Sequence, residues 1–140
     1  MTPREVFLSH SSQDQHAAVK IADTLRNHGV PVWLAPTVIL AAQQWHDEIG
    51  RALRRCDWFM VLLSDHAVNS IWVRRELMYA LSHKQYDNHI MPILLDQCDY
   101  EALSWTLGLF QMADYASSKV DAYTEILRSW GIGFDQAKAA

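Results

Sequence analysis

Near its N-terminus the chain reads Val6-Phe7-Leu8-Ser9-His10-Ser11. Three apolar residues in a row end at polar ones, which is typical of a short parallel strand that is buried on both faces. Further short apolar runs follow along the chain, and stretches with apolar residues at helical spacing separate most of them. This alternation predicts an α/β domain built on a parallel sheet.

Five strands are predicted, at residues 6–8, 30–34, 58–63, 90–95 and 110–113. Residues 99–109, between the last two strands, form a short helix or turn. The first helix starts at a capping box, Ser12-Gln13-Asp14-Gln15, and ends at Gly29. The residues that bury this helix are Ala18, Ile21, Ala22 and Leu25.

Three more helices complete the predicted domain. The second has acids in its first turn and arginines in its last, an order that the helix dipole favours. These charged residues are Asp47, Glu48, Arg51, Arg54 and Arg55, and the inward-facing ones are Trp45, Ile49, Ala52 and Leu53. The third helix runs from about residue 70 to 83. The closing helix ends at Gly131, and its inward-facing residues are Val120, Tyr123, Leu127 and Trp130.

Crossover helices between parallel strands predict an open flavodoxin-like sheet of order 2-1-3-4-5, with helices on both faces. Ligands of such sheets bind at the carboxyl ends of the strands, where the strand order reverses. Those ends carry the polar or loop-forming segments Ser9-His10-Ser11, Leu34-Ala35 and Ser64-Asp65-His66. The sequence therefore predicts one crevice that collects these side chains.

Trp72 and Glu76 are four residues apart in the third helix, so their side chains share one helix face. The neighbouring face is apolar and comprises Val73, Leu77, Ala80 and Leu81. Trp72 and Glu76 therefore lie at the edge of the buried stripe, where a side chain can line a cleft. An aromatic surface beside a single acid suits a ligand that contains a ring and a sugar.

The length, net charge and residue spacing of the chain argue against several classes of function. The chain has 140 residues, which is the size of one domain, and a net charge of −4 that gives no attraction to nucleic acid or anionic membranes. No apolar run approaches the ~20 residues of a membrane span. Cys56 and Cys98 form no paired metal-ligand spacing, and the histidines form none either. We expect a cytoplasmic protein with reduced thiols, no metal and no bound cofactor.

The sequence lacks the motifs of several other enzyme classes. The chain has no Gly-x-Gly-x-x-Gly after its first strand, no phosphate-binding Gly-x-x-x-x-Gly-Lys-Ser/Thr loop and no Gly-x-Ser-x-Gly. Response-regulator receivers share the expected topology but require paired acids where this chain has Ser9-His10-Ser11. The sequence therefore argues against a dinucleotide cofactor bound in the Rossmann manner.

Several segments, in their order and spacing from residue 5 to 130, resemble the TIR (Toll/interleukin-1 receptor) domain family in its bacterial form. The matching segments are Val6 to Ser11, Val32-Trp33-Leu34-Ala35-Pro36, Trp45 to Leu53, Phe59 to Ser64, Ser70 to Leu77 and Ile90-Met91-Pro92-Ile93. On this resemblance residues 1–134 form a TIR domain and residues 135–140 a tail or a linker stub.

The resemblance implies either an enzyme or an interaction module. Some TIR domains cleave NAD+ between nicotinamide and ribose, and their catalytic glutamate and preceding tryptophan match Glu76 and Trp72. The resemblance also implies that His10 and Ser11 border the ribose and phosphates, that Trp33 stacks on a nucleotide ring, and that Ala35 belongs to the same substrate-binding group. Such an enzyme, an NAD+ glycohydrolase or cyclase, is expected in bacterial immune or antiphage defence. The alternative is a non-catalytic adaptor or a virulence mimic of host TIR signalling.

Each candidate also has a purely structural interpretation, which the residues alone leave open. Glu76 is then a solvated acid on an amphipathic helix, Trp72 and Trp33 are packing residues, and Ser11 and Ser12 are helix caps.

The loop after the second strand departs from the family pattern, because it lacks the usual Pro-Gly turn and any charge. It reads Thr37-Val38-Ile39-Leu40-Ala41-Ala42-Gln43-Gln44. An exposed apolar loop is costly, so Val38, Ile39 and Leu40 are predicted to contact a second copy of the domain or a partner. The alternative is that the loop folds onto its own core. The resemblance also implies self-association through TIR–TIR contacts and a fused or separate sensor or effector protein.

Overall fold

The computed structural model describes residues 2–35 and 42–140, and for residues 42–44 the backbone alone. One parallel sheet holds five strands in the order β2-β1-β3-β4-β5, which confirms the predicted flavodoxin-like fold and strand order. The strands are β1 (Val6–Ser9), β2 (Val32–Leu34), β3 (Trp58–Leu63), β4 (Ile90–Leu94) and β5 (Ala113–Asp114). The helices are α1 (Gln15–Asn27), α2 (Ala42–Arg55), α3 (Asp65–Val68), α4 (Ile71–Ser82) and α5 (Lys119–Arg128).

Helices cover both faces of the sheet, and the pleat of the strands divides the core between them. Leu8 of β1 packs with α1 and α5, whereas its neighbour Phe7 packs with α2 and α4. Each fully buried large apolar side chain stabilises the fold by about 1.5–3 kcal/mol. Because both faces of the central strands are buried, these strands show the continuous apolar runs from which they were predicted.

The ends of α1 and β2 are set by the turn between them. Gly29 has a positive φ of 86°, and the N–H groups of Gly29 and Val30 donate to the carbonyls of Arg26 and Leu25. The N–H of Val30 therefore serves the C-terminus of α1. This is why β2 starts at Val32 and not at residue 30 as predicted.

Strand β5 is shorter than predicted, because it begins three residues later and ends one residue later. Only Ala113 and Asp114 pair with β4. Phe110 follows the 3-10 helix Trp105–Leu109, and its N–H donates to the carbonyl of Leu107 instead of to a strand. A second 3-10 helix spans Tyr100–Ala102, so the short helical structure expected within residues 99–109 is confirmed.

Three predicted helix details are wrong. Ser11, and not Ser12, is the cap: its hydroxyl accepts from the N–H of Gln13 in a 3-10 turn, Ser12–Asp14, that precedes α1. Helix α2 begins at Ala42, so Asp47 and Glu48 lie beyond its first turn. Val120 is 46% exposed, because α5 buries a different face. That face comprises Ala122, Tyr123, Ile126 and Leu127.

Residues 135–140 contact α1. The N–H of Asp135 donates to His28 Nε2 at 3.0 Å, and Asn27 Nδ2 donates to the carbonyl of Lys138 at 3.1 Å. The boundary at residue 134 stays a prediction. No helix within residues 2–35 and 42–140 has the length and apolar character that crossing a bilayer demands.

Candidate active site

Glu76 is buried beside the carboxyl end of β1. Ser9, the last residue of that strand, donates from Oγ to Glu76 Oε1 at 2.7 Å. Ser9 is 1% exposed and Glu76 is 7% exposed. The two residues meet because Ser9 points to the same face of the sheet as Phe7, the face that α4 covers. The contact places one acid at the edge of the sheet where ligands of this fold bind.

Burial raises the pKa of Glu76 from its ordinary value of 4.5 to about 7, and the hydrogen bond from Ser9 opposes that rise. Loss of hydration disfavours the carboxylate, whereas a donor that points at the carboxylate favours it. Glu76 is therefore poised between its two protonation states near neutral pH. A carboxyl group buried with such a shift marks a candidate functional site.

Helix α4 is held firmly enough to position Glu76. The Ser70 hydroxyl caps the helix by accepting from the N–H of Val73 at 3.3 Å. Val73 and Leu77 are buried against the sheet. Arg74 Nη1 donates to the carbonyls of Ala102 and Leu103 at 3.2 and 3.3 Å, which ties α4 to the C-terminal end of the 3-10 helix Tyr100–Ala102.

Trp72 lies one helical turn before Glu76 and is 37% exposed. The guanidinium carbon of Arg75 lies 5.3 Å from the centroid of the indole. A cation over an aromatic face is attracted by the negative potential of the ring. The indole of Trp72 is therefore partly exposed and partly covered by Arg75. It lies on the same helix as Glu76.

Trp33 and Ala35 lie at the end of β2. The Trp33 ring stacks on Phe7 with centroids 4.8 Å apart, and both Trp33 and Ala35 are half-buried. Trp33 therefore packs against the core on at least one side, which agrees with its structural interpretation. Its predicted role as a ligand platform, and the role of Ala35, stay predictions.

His10 and Ser11 follow β1 directly. His10 Nε2 and Gln15 Oε1 form a hydrogen bond of 2.8 Å, which joins the strand end to the first residue of α1. Ser11 is buried and its hydroxyl serves as the cap described above. The predicted loop residues Val38, Ile39 and Leu40 lie outside the described residues.

Comparison with known proteins identifies the family. The family model described as TIR domain matches residues 6–127. The chain belongs to the TIR domain family. A solved relative is the TIR domain of the Toll-related receptor TRR-2 from Hydra magnipapillata, with a TM-score of 0.73 and 16% identity over 89% of this chain and 95% of that one. That likeness supports the fold alone.

Two relatives of this TIR domain have names that state an activity on NAD+ or its products. NAD(+) hydrolase TcpC of Escherichia coli is 27% identical over 95 residues, which is 66% of this chain and 31% of TcpC. The 2′ cyclic ADP-D-ribose synthase AbTIR of Acinetobacter baumannii is 29% identical over 92 residues, 64% of this chain and 34% of AbTIR. The chain thus spans about a third of the length of these relatives.

Three polar residues near the carboxyl ends of β1 and β3 form contacts that were not predicted, although Ser9 and Ser64 were expected at this edge of the sheet. They are Ser9, which contacts Glu76, and the pair Ser64 and Asp14, whose Oγ and Oδ2 atoms are 2.5 Å apart. The Ser64 hydroxyl also accepts from the N–H of Ala67 and so caps α3. Ser9 and Ser64 each follow a buried apolar run, and a polar residue in that position was the available signal.

Replacing Ser9 with alanine should raise the pKa of Glu76 further above its ordinary value. The hydroxyl is the donor that stabilises the buried carboxylate, so the substitution leaves desolvation unopposed. Carbon NMR titration of the Glu76 carboxyl measures the pKa directly. A Ser12→Ala substitution, at an exposed neighbouring serine, should leave it unchanged. An unaltered titration curve in the Ser9 variant would contradict the assigned hydrogen bond.

Within residues 2–35 and 42–140, no three His, Cys, Asp or Glu side chains come together in an arrangement that could hold a metal ion. Cys56 is buried and Cys98 half-buried, and both are free thiols. The described residues of the candidate site offer the carboxyl group of Glu76, the hydroxyl of Ser9 and the indole of Trp72.

Proposed function

We propose that this TIR domain cleaves the bond between nicotinamide and ribose in NAD+. The observation that carries the proposal is the buried carboxyl group of Glu76, which accepts a hydrogen bond from Ser9. It lies at the carboxyl ends of the strands, where ligands of this fold class bind. Trp72 lies one helical turn away. The stated activities of TcpC and AbTIR support it.

One carboxylate is sufficient for this reaction. The nicotinamide of NAD+ is a cationic leaving group, so its departure requires no general acid. The transition state carries positive charge on the ribose, as in other glycosidic cleavages. A carboxylate pre-positioned in a site with little water stabilises that charge much more strongly than water does. Glu76 supplies the negative charge, and Ser9 holds its orientation.

The product depends on what attacks the ribose after nicotinamide leaves. Water gives ADP-ribose, and a nucleophile within the same molecule gives a cyclic ADP-ribose. The names of TcpC and AbTIR include one of each kind. We propose that the domain is a glycohydrolase or a cyclase, and the reaction products distinguish the two.

The test is NAD+ consumption by the intact chain at high protein concentration, with chromatographic separation of the products. We expect nicotinamide to be released together with ADP-ribose or a cyclic isomer. Glu125 provides a matched control, because it lies on α5 at the opposite face of the sheet, and Glu125→Gln removes one charge as Glu76→Gln does. No turnover by the intact chain would overturn the proposal.

The pH dependence of the reaction should report Glu76. Because the carboxylate is the active form and the pKa of Glu76 is about 7, kcat/KM should rise tenfold per pH unit below pH 7 and level off above it. The profile is measured with initial rates of nicotinamide release between pH 5 and 9. A profile already level at pH 5 would mean that the working carboxyl group is not desolvated.

A second candidate, a non-catalytic interaction module, is favoured by a different feature. Trp105 and Leu109 of the 3-10 helix before β5 are 73% and 75% exposed. Large apolar side chains this exposed are common at protein contact sites. The turnover measurement distinguishes the two functions, since an adaptor or a virulence mimic would release no nicotinamide.

We also propose that the domain self-associates and acts in the cytoplasm, in bacterial defence, with a fused or separate sensor. The apolar loop sequence Val38-Ile39-Leu40 supports association. Replacing Ile39 and Leu40 with aspartate should abolish assembly, because charge cannot be buried cheaply in an apolar contact. Light scattering measures the change, and unchanged assembly would contradict the role of this loop.

A further inference from the structure

The indole of Trp72 already has a planar cation on its face, the guanidinium group of Arg75. Arg75 follows Trp72 by three residues on α4, and its guanidinium carbon lies 5.3 Å from the centroid of the indole. Arg75 is exposed, and its side chain has no salt bridge or hydrogen bond within residues 2–35 and 42–140. The attraction to the indole is therefore the polar interaction that the structure gives this cation.

A contact of this kind is easily exchanged. The attraction between an exposed cation and an aromatic face changes a binding constant by only about 2- to 5-fold. Helix α4 does not depend on it, because the Ser70 cap and the buried residues Val73 and Leu77 hold the helix. Arg75 can therefore leave the indole while α4 stays in place.

The substrate of the proposed reaction has a second planar cation that fits the same face. Trp72 and Glu76 are one helical turn apart, so their Cβ atoms are about 5–6 Å from each other. Glu76 faces the ribose carbon that bears nicotinamide in this reaction. The nicotinamide ring is bonded directly to that carbon and carries the positive charge, which brings a flat cationic ring next to the indole.

We infer that Arg75 occupies, in the free domain, the indole face that binds the nicotinamide ring of NAD+, and that the substrate displaces it. This inference rests on the proposed function for the identity of the ligand. Two cations cannot share one face of the indole, so Arg75 lowers the affinity for every ring that binds there. A neutral ring replaces Arg75 less well than a cationic one, and the pair therefore selects NAD+ over NADH.

The exchange also favours release of the product. Nicotinamide becomes neutral when its bond to the ribose breaks, and it then loses the attraction of a cation for the indole. Arg75 keeps its charge throughout and returns to the face. The residue thus lowers the affinity for the cleaved ring more than that for the intact substrate.

The first experiment observes Arg75 by NMR in the Glu76→Gln protein, which binds NAD+ without consuming it. The indole ring current shifts the signals of a guanidinium group that lies over its face, and the added substitution Arg75→Gln identifies those signals. We expect them to return to the position of a free arginine as NAD+ is added. Arg75 signals that stay shifted while NAD+ saturates the protein would overturn the inference.

Calorimetry on the same Glu76→Gln background measures the competition. Arg75→Gln should tighten NAD+ binding by about 2- to 5-fold, because the competing cation is gone. Arg128→Gln is the matched control, since Arg128 is exposed on α5 at the opposite face of the sheet, and it should bring no such gain. In a Trp72→Leu protein the gain from Arg75→Gln should disappear, because no indole remains to compete for.

The same titrations compare NAD+ with NADH. We expect NAD+ to bind about 2- to 30-fold more tightly, and Trp72→Leu to reduce this preference, because leucine has no aromatic face to attract a cation. Equal affinities for NAD+ and NADH in the protein that retains Trp72 would contradict the selection of a charged ring.

Every other result also decides the question. Weaker NAD+ binding after Arg75→Gln would overturn the inference and assign Arg75 to the phosphates of NAD+, which also attract a cation. An equal gain in the Trp72→Leu protein would overturn it too, because the effect would not depend on the indole. Turnover of NAD+ by the intact chain together with either result would leave the proposed function standing. If NAD+ were neither bound nor cleaved, both would be wrong.

Discussion

Glu76→Gln should lower NAD+ turnover on the order of 10³-fold, the loss typical of removing one well-placed electrostatic group from an active site. Glutamine keeps the length of the side chain and an oxygen that accepts from Ser9 Oγ, so the geometry of the 2.7 Å contact is retained. Only the negative charge is lost. The effect should fall mainly on kcat, because positive charge moves onto the ribose in the transition state.

Two comparisons make this result specific to position 76. Glu125→Gln removes the same charge on the far side of the sheet and should leave turnover within about twofold. Glu76→Asp keeps the charge but withdraws it by one methylene, and it should retain more activity than Glu76→Gln. If the two Glu76 variants were equally inactive while both remained folded, the position of the charge would be as essential as the charge itself. A Glu76→Gln protein as active as the intact chain would contradict the role of the charge.

The same Glu76→Gln substitution should stabilise the fold at neutral and higher pH. The pKa of Glu76 is about 7 in the folded state against an ordinary 4.5. A carboxyl group with a raised folded pKa gives full stability below pH 4.5, where both states are protonated. It loses stability as the pH rises to about 7, because the unfolded chain ionises first.

The magnitude of that loss follows from the size of the pKa shift. Each pKa unit corresponds to about 1.4 kcal/mol, so the wild-type chain should lose about 3 kcal/mol from this group between pH 4.5 and 7. Glutamine does not ionise and avoids the loss. Urea unfolding measures the free energy of unfolding of both proteins across this pH range. If that free energy changed with pH equally in the two proteins, Glu76 would titrate as an exposed acid and the prediction would be wrong. We expect the free energies of unfolding to diverge from pH 4.5 upward and the difference to be constant above pH 7.

Together the two predictions separate function from structure at one residue. A residue kept for packing would lose stability when replaced, whereas Glu76→Gln should gain stability and lose activity. Such opposite changes are typical of active sites that retain a destabilising charge. On the proposed function, the need for this charge is the reason why a carboxyl group lies at this edge of the core, where an apolar side chain would be more stable.

Much of the fold could be predicted from local patterns in the chain. The run at residues 58–63 is β3 as predicted, and Ala18, Ile21, Ala22 and Leu25 bury α1 as predicted. Periodicity gives such results because burial on one or both faces constrains every second or every third to fourth residue. It gave the wrong bounds for β5, since two paired residues are too short a strand to leave a pattern.

Part of the candidate site follows from the sequence and part from the tertiary structure. The sequence alone determined that Trp72 and Glu76 share one face of a helix, because four residues make about one turn. Tertiary structure decided that Glu76 is buried and that Ser9, 67 residues earlier, donates to it. It likewise decided that His10 contacts Gln15. Helical spacing is a local property of the chain, whereas desolvation and hydrogen bonding between distant residues exist only once β1 and α4 have packed together.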